Sequence, residues 1–441
     1  MSAEVVVVGG GLAGSEAAWQ AARAGCRVRL WEMRPASSTP AHHTDRLAEL
    51  VCTNSLKSED DRSAPGQLKW ELRRLGSVIM AAADATRVPA GQALAVDRDA
   101  FAAEVTAAVT GHPDIAVVRA RVDRMPEARP AVVATGPLTA PALADALARV
   151  CGQALWFYDA AAPVVTAESV DRSYSFAASR YGKGEGTYVN CPLTRDQYRD
   201  LVTALATAET HRLHGFEDED PHFFESCLPV EVLARRGEDA LRFGPLKPVG
   251  LWDPKTGEQP YAVLQLRQDN AAGTLYNVVG FQTNLLWSEQ RRVLGLVPAL
   301  AHAEFVRYGV MHRNTYVCSP RCLDPRLAVR GERDLFLAGQ ITGVEGYLES
   351  TAMGLWAGLG AAAAARGSRL PPPPPTTAMG ALVSYITTAD ADHFAPMNVA
   401  FGLFPPLPRP IRRRTLRQQA LVDRARSDFT DWLSSWPVTA G

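Results

Sequence analysis

The apolar positions change period several times along the chain, and each change marks an element. Val5-Val6-Val7-Val8 is an unbroken β-branched run that meets Gly9-Gly10-Gly11, the pattern of a strand buried on both faces. Helix formers fill 12–24, Gly25 ends that stretch, and 27–31 is a second apolar strand. Strand, helix and strand within about 30 residues make a βαβ unit, which implies a parallel sheet. Residues 35–63 are polar and irregular apart from an apolar island at 47–52, and loops of that length are commonly functional. Helices are expected over 68–83 and 97–109, and strands over 115–118 and 131–134, the second stopping at Thr135-Gly136-Pro137.

From about residue 151 the texture changes. Aromatic and polar residues alternate, Gly and Pro are frequent, and 181–186 is a glycine-rich turn. One helix is expected over 201–211, and strands at 261–266 and 275–281 flank a turn at 269–273, as in an antiparallel pair. A buried strand returns at 334–338, followed by Gly339 and a long Gly/Ala-rich helix over about 346–365. Five prolines at 371–375 predict a stiff extended spacer. Helical segments follow at 380–388 and 412–432, and no internal repeat is present. The expected organisation is a nucleotide-binding domain over 1–150, an inserted α+β domain over 151–310 and a return segment over 311–370. The Pro-run spacer and a basic helical segment complete it over 371–441.

The first strand and helix carry the chemistry most legible in the sequence. Gly9-x-Gly11-x-x-Gly14 joins them: the first Gly makes the turn, the second admits a pyrophosphate to the backbone, and the third lets helix and strand pack closely. The helix N-terminus favours phosphate charge. Glu32, at the end of the second strand, is placed to accept ribose hydroxyls. Ala134-Thr135-Gly136 and the segment Gly339, Gly343, Gly346 end later strands and favour FAD over NAD, because a helix N-terminus there can face the flavin pyrimidine edge. No second GxGxxG exists for a nicotinamide donor.

Composition narrows the class. Of 441 residues, 47% are hydrophobic and 21% charged, ordinary for a globular chain. No stretch reads as a membrane span of about 20 residues. The N-terminus runs straight into a strand, so a secretion signal is not expected. Net charge is −1, so an RNA or DNA site has to be a local patch. The cluster from Arg409 through Arg412, Arg413, Arg414 and Arg417 to Arg424 and Arg426 reads as a solvated basic helix or as that patch. Seven cysteines without a C-x-x-C pair suggest a reducing, cytoplasmic setting.

Two cysteines stand out. Cys52 lies in ELVCTNSL (49–56) and Cys227 in FFESCLP (223–229). Each reads either as a buried small hydrophobe or as a thiolate nucleophile. Cys318 and Cys322 lack partners at finger-like spacing and read as structural, as do Cys26, Cys151 and Cys191, and no metal site is expected. His42-His43 reads as a loop contact. His312 reads as an ordinary histidine or as an imidazole stacked on a planar ligand.

The longer blocks resemble the folate- and FAD-dependent tRNA uracil-5-methyltransferases. They are GGGLAGSEAAW (9–19), WEMRP (31–35), AHHTDRLAELVCTNSLKS (41–58), RVPAGQALAVDRDAF (87–101), NCPLT (190–194), FFESCLPVE (223–231), FGPLKPVGL (243–251), RYGVMHRNTY (307–316) and GVEGYLESTAMGL (343–355). The resemblance covers about residues 5–405. It implies an α/β fold: a Rossmann-type, glutathione-reductase-like FAD domain with an inserted α+β domain. It also implies formation of 5-methyluridine at position 54 of the tRNA T-loop. Carbon would come from 5,10-methylenetetrahydrofolate and electrons from NADPH or NADH through FAD. By the same resemblance Cys227 is the thiol that adds to the base and Cys52 the second active-site cysteine. His312 stacks on the folate pterin, and Tyr347 lies in the segment that reaches the flavin. Gly9, Gly10, Gly11, Leu12, Ala13, Gly14, Glu32, Thr135, Gly136, Gly339 and Gly343 are the other expected cofactor contacts. The partners implied are the tRNA T-arm and tetrahydrofolate species, with no membrane and no metal. Rival readings are the same chemistry on ribosomal RNA, a flavin reductase of a small molecule, and a non-catalytic RNA-binding flavoprotein. The five-proline run and the Arg-rich tail depart from the family pattern.

Overall fold

The computed structural model describes residues 3–39, 41–152, 154–182, 188–211 and 228–436. The run of valines forms β1 (Glu4–Val8), at the centre of a five-stranded parallel sheet. Its neighbours are β2 (Arg27–Glu32) and β7 (Ala131–Val133), with β6 (Ile115–Arg119) outside β2 and β16 (Leu335–Leu337) outside β7. The chain moves outward from β1 to β2 and β6, then returns to the other side of β1. That reversal opens a crevice at the carboxyl ends of β1 and β7, the place where such sheets bind nucleotides.

Two helices lie across this sheet in backbone contact. They are Leu12–Arg23 and the expected long helix, observed as Tyr347–Ala365. A Cβ on Gly354 would stand 2.2 Å from the Ala13 carbonyl oxygen, and one on Gly358 would stand 2.5 Å from that of Ala17. Only glycine permits so close an approach. The helix expected over 68–83 is instead two helices, Ala64–Arg74 and Val78–Ala85. Gly76 breaks them in the left-handed region (φ 68°), and the Ser77 hydroxyl caps the second by accepting from the Met80 amide. Short strands β3 (Ser55–Ser58), β4 (Arg87–Val88) and β5 (Ala93–Val96) form a small separate sheet.

The strands β8 (Ala154–Ala160) and β15 (Met311–Val317) pair along their whole length as an antiparallel ribbon. Between them lies a six-stranded sheet in the order β10 (Phe176–Ala177), β11 (Tyr188–Leu193), β12 (Ala262–Gln268), β13 (Leu275–Val278), β9 (Val164–Thr166) and β14 (Phe305–Arg307). One face, with Val165, Leu264, Leu266, Tyr276 and Val278, packs with Tyr198, Leu201 and Leu205 into a second core. Those three come from a helix that runs Arg195–Thr207 rather than 201–211, because Thr194 and Gln197 form a capping box. The alternate positions Asn190, Gln265, Arg267 and Asn277 are polar and also buried. A sheet with an apolar face and a buried polar face is covered on both sides.

The C-terminal part belongs to the first core. Phe429 and Trp432, on helix Arg414–Ser434, are buried with Leu68 and Trp356. The Trp432 indole donates to the Pro371 carbonyl at 3.0 Å, so the proline run, expected as a spacer, is packed against this helix. Arg424 and Arg426 bond to the Pro405 carbonyl and to Gln67, whereas Arg412, Arg413, Arg414 and Arg417 are exposed.

Gly354→Val is expected to lower the melting temperature and the bound flavin together, because the added side chain forces the helices apart at the nucleotide crevice. Overpacking of this kind costs about 1–3 kcal/mol. Gly111→Ala, whose Cβ meets no atom within 4 Å, is the control that leaves both unchanged. Normal flavin content in Gly354→Val would show that the helix contact does not set the crevice.

Candidate active site

The crevice at the ends of β1 and β7 is a cleft lined by residues of both strand ends. Gly9 through Ala13 form its floor, Glu32 one wall, Thr135 and Gly136 another, and Gly339 and Tyr347 its inner end. Each glycine of the motif has its own reason. Gly9 has φ 103°, and a Cβ there would strike the Ala134 carbonyl. A Cβ on Gly14 would lie 1.7 Å from the Gly9 oxygen, so Gly14 serves packing beneath the cleft and does not line it. Gly11 is different: a Cβ there meets no protein atom within 4 Å. It caps the helix Leu12–Arg23 and borders the cleft, so nothing in the protein demands glycine at that position. A bound pyrophosphate does. Gly343, in the left-handed region, packs against the Phe394 ring and also stands outside the lining.

Glu32 Oε2 accepts from the Gly10 amide at 2.8 Å, and Oε1 accepts from the Arg34 amide and Nε. Burial pushes this carboxyl up, but the Arg34 and Gly10 bonds outweigh it and hold it below the usual carboxylate range. Oε2 keeps a lone pair for a ribose hydroxyl. The glycine cradle, the ionised Glu32 and the helix N-terminus therefore fit FAD.

Above the inner end lies the loop that carries Cys52. The amides of Cys52 and Thr53 both donate to the Tyr347 hydroxyl, at 2.8 and 3.2 Å. Burial foremost drives the Tyr347 phenol pKa up, so it stays a neutral anchor. Arg98 donates to the carbonyls of Leu50 (2.9 Å) and Cys52 (3.2 Å) and pairs with Asp269 at 3.0 Å. Arg267 of β12 bonds Asn54 Oδ1 at 3.0 Å and the Thr53 hydroxyl. Asn54 Nδ2 donates to the carbonyls of Val96 and Gln268. Cys52, itself half-buried, thus sits on a backbone clamped between the cleft and the polar face of the six-stranded sheet. Lys57 adds a tie, bonding Glu349 and Asn398 from a left-handed backbone conformation.

The structure bonds the Cys52 amide to Tyr347, and Tyr347 and Val51 line the cleft while Cys52 stands just outside the lining. His312 lies in β15 opposite Asp159, and its side chain lies outside the described residues. Cys227, with Phe223 and Phe224, also lies outside them. Sequence reasoning missed Arg98, Arg267 and Asp269. One signal was present: Arg98 is the first residue of helix Arg98–Gly111, where the helix dipole disfavours a cation. Among the described residues no group of acidic, His and Cys side chains is arranged to hold a metal, and no helix is long and apolar enough to cross a membrane.

Gly11→Val is expected to lose FAD while the apoprotein keeps its melting temperature, since only the ligand is displaced; full flavin occupancy would misplace the site. Asp269→Ala leaves Arg98 charged and buried, which costs on the order of 3–5 kcal/mol. Restoring balance with Arg98→Met in the same chain should recover part of that loss. Strictly additive melting shifts in this double-mutant cycle would dissolve the clamp.

Residues 4–369 match the family described as glucose inhibited division protein A. Two curated relatives carry the name methylenetetrahydrofolate--tRNA-(uracil-5-)-methyltransferase TrmFO. The one from Moorella thermoacetica is 58% identical over 426 residues, covering 96% of this chain and 97% of the relative. The one from Desulforudis audaxviator is 57% identical over 436 residues, covering 98% and 99%. Aquifex aeolicus GidA shares the fold, with a TM-score of 0.70 at 17% identity over 97% of this chain and 76% of that one. The chain belongs to the glucose inhibited division protein A family, on the branch of the methylenetetrahydrofolate–tRNA-(uracil-5-)-methyltransferases.

Proposed function

We propose that this chain is a flavin-dependent tRNA methyltransferase that forms 5-methyluridine at position 54 of the T-loop. Its carbon donor is 5,10-methylenetetrahydrofolate and its reductant NADPH or NADH. The observation that carries this reading is near-full-length identity of 57–58% to relatives of that name. The cleft adds support, since it fits FAD and its Tyr347 holds the backbone of the Cys52 loop. We take residues 151–310 as the substrate side and place the enzyme in the cytoplasm.

Uracil C5 is a weak nucleophile. Addition of the Cys227 thiolate to C6 moves the C5–C6 π pair toward C5 and O4. C5 then bonds the methylene carbon. Loss of the C5 proton and of tetrahydrofolate leaves an exocyclic methylene, and a two-electron reduction yields the methyl group as the thiolate departs from C6. Flavin held in the cleft and first reduced by NADPH or NADH would supply those two electrons, being reoxidised to FAD. Glu32, Gly10 and Gly11 hold the cofactor, Tyr347 and Arg98 fix the Cys52 backbone beside it, and His312 stacks on the pterin. The target base must leave the loop stack to reach the cleft. The exposed Arg412, Arg413, Arg414 and Arg417 supply phosphate contacts, whose strength falls with salt.

Purified protein given the folate, NADPH and unmodified tRNA should place 5-methyluridine at position 54. Product confined to ribosomal RNA, or none, would overturn the reading. Cys227→Ala should keep FAD, lose methylation and form no adduct with tRNA containing 5-fluorouracil, while Cys52→Ala should lose methylation yet still form it. A normal adduct in Cys227→Ala would move the nucleophile to Cys52.

A further inference from the structure

The polar face of the six-stranded sheet contains a row whose members come from four strands. Arg267 of β12 is opposite Asn277 of β13, Asn277 is opposite Val164 of β9, and Val164 is opposite Arg307 of β14. Residues directly opposite in antiparallel pairs share a face. Arg307 reaches this face through a bulge: Phe305 is opposite Val165, on the apolar side, and the register then shifts so that Arg307 meets Val164. Without the shift Arg307, two residues on, would point with Phe305 into the apolar core. Bulges beside active sites re-aim side chains in this way.

Arg267, at one end of the row, bonds the Cys52 loop. Each of the other two polar members has a nitrogen without a partner among the described residues. Asn277 is 2% exposed, and its Nδ2 is buried without a hydrogen-bond partner among the described residues. Arg307 Nη1 is buried in the same condition. Burial, and then the neighbouring Arg98 guanidinium, pull Arg307 below the usual arginine range, while Asp269, Glu49 and Tyr347 act on it in the opposite sense. Glu49 and Tyr347 both line the cleft. Two unpaired donors therefore lie on the face that holds the Cys52 loop, and one carries a positive charge. Among the described residues neither is met by an acceptor oxygen. A buried donor left unpaired costs about 1–3 kcal/mol, which a ligand oxygen would relieve.

We propose that Asn277 and Arg307 form an oxygen-binding subsite on the polar face of the sheet, beside the Cys52 loop, which takes the ring carbonyl of a lactam and holds it as negative charge gathers there. The subsite rests on the methyltransferase reading. Besides the flavin cofactor, two ligands of that reaction carry such a carbonyl: the target uracil, whose O4 gains charge when a thiolate adds to C6, and the pteridine of the folate. The shared chemistry is a planar amide-type oxygen met by one neutral and one cationic donor, the arrangement that stabilises a developing oxyanion.

The test uses FAD-loaded full-length protein and the variants Arg307→Met, Arg307→Lys and Asn277→Leu. Removing one such donor should lower methylation kcat/KM about 100-fold, and Arg307→Lys should recover part of the Arg307→Met loss. Asn277→Leu should melt at or above the wild-type temperature, because it deletes an unpaired buried donor. A purely structural asparagine would instead lose stability and activity together. Two arms separate the sources of the oxygen. Weaker tetrahydrofolate binding, read from the flavin spectrum, assigns the pteridine. Normal tetrahydrofolate binding with loss of the adduct to 5-fluorouracil-containing tRNA assigns the uracil. Wild-type kcat and KM in both Arg307→Met and Asn277→Leu would overturn the subsite and leave the methyltransferase reading intact. If the wild-type protein makes no 5-methyluridine, that reading fails instead. The subsite is then judged by binding of tetrahydrofolate and of T-arm RNA, where unchanged affinity for both in the two variants overturns it.

Discussion

The approach of two helix backbones at Gly354 and Gly358 is the contact on which the nucleotide site depends. It sets the helix that opens the Gly-rich loop against the helix that begins at Tyr347. Gly339 makes a third close approach, since a Cβ there would lie 2.7 Å from the Ala13 Cβ. Segments distant in sequence thereby close one cleft. The register reaches further, because Tyr347 anchors the Cys52 loop and that loop is pinned to the six-stranded sheet by Arg98 and Arg267. A side chain between the helices would disturb the cofactor cradle, the cysteine and the substrate side together.

Much of this was legible where it is local. The valine run, the glycine motif, Glu32 and the helix after Gly346 follow from nearest-neighbour chemistry, and the structure shows them at or near the expected bounds. Other local signals were present and passed over. Gly76-Ser77 marks a break and a cap inside what the apolar spacing suggests is one helix. Thr194 and Gln197 begin a helix earlier than its apolar positions do. The helix Pro141–Cys151 is another, since its buried Leu143, Ala146, Leu147 and Cys151 recur at helical spacing, whereas the three strands of the small sheet span two to four residues, too short for a period to show.

The unread part of the site is the part made by register. Asn277 and Arg307 share a face because β13, β9 and β14 pair in one alignment and because β14 is bulged. Shifting the pairing by one residue would turn each side chain to the other side of the sheet. No periodicity within any one strand contains that information. The same holds for Asp269, whose partner Arg98 begins a helix in a different core.

Register also explains why the near-neutral charge of the chain misleads. A net charge of −1 argues against a global field, yet Arg98, Arg267 and Arg307 gather along one seam beside the cleft. The carboxylates that act on them there are Asp269 and Glu49, and Glu49 is also bonded by Arg34. Among the described residues, three guanidinium groups against two carboxylates, one of them shared, leave the seam positive. Low-dielectric walls strengthen such a local field, so the surface average says little about the potential an entering ligand meets. The seam is therefore electrostatically matched to substrates that are anionic or become so during reaction. The cost is borne by stability, because charges and donors held from water without full pairing destabilise the fold that holds them. Folding chemistry alone gives no reason to retain that arrangement. Binding an oxygen that acquires charge only at the reacting centre does.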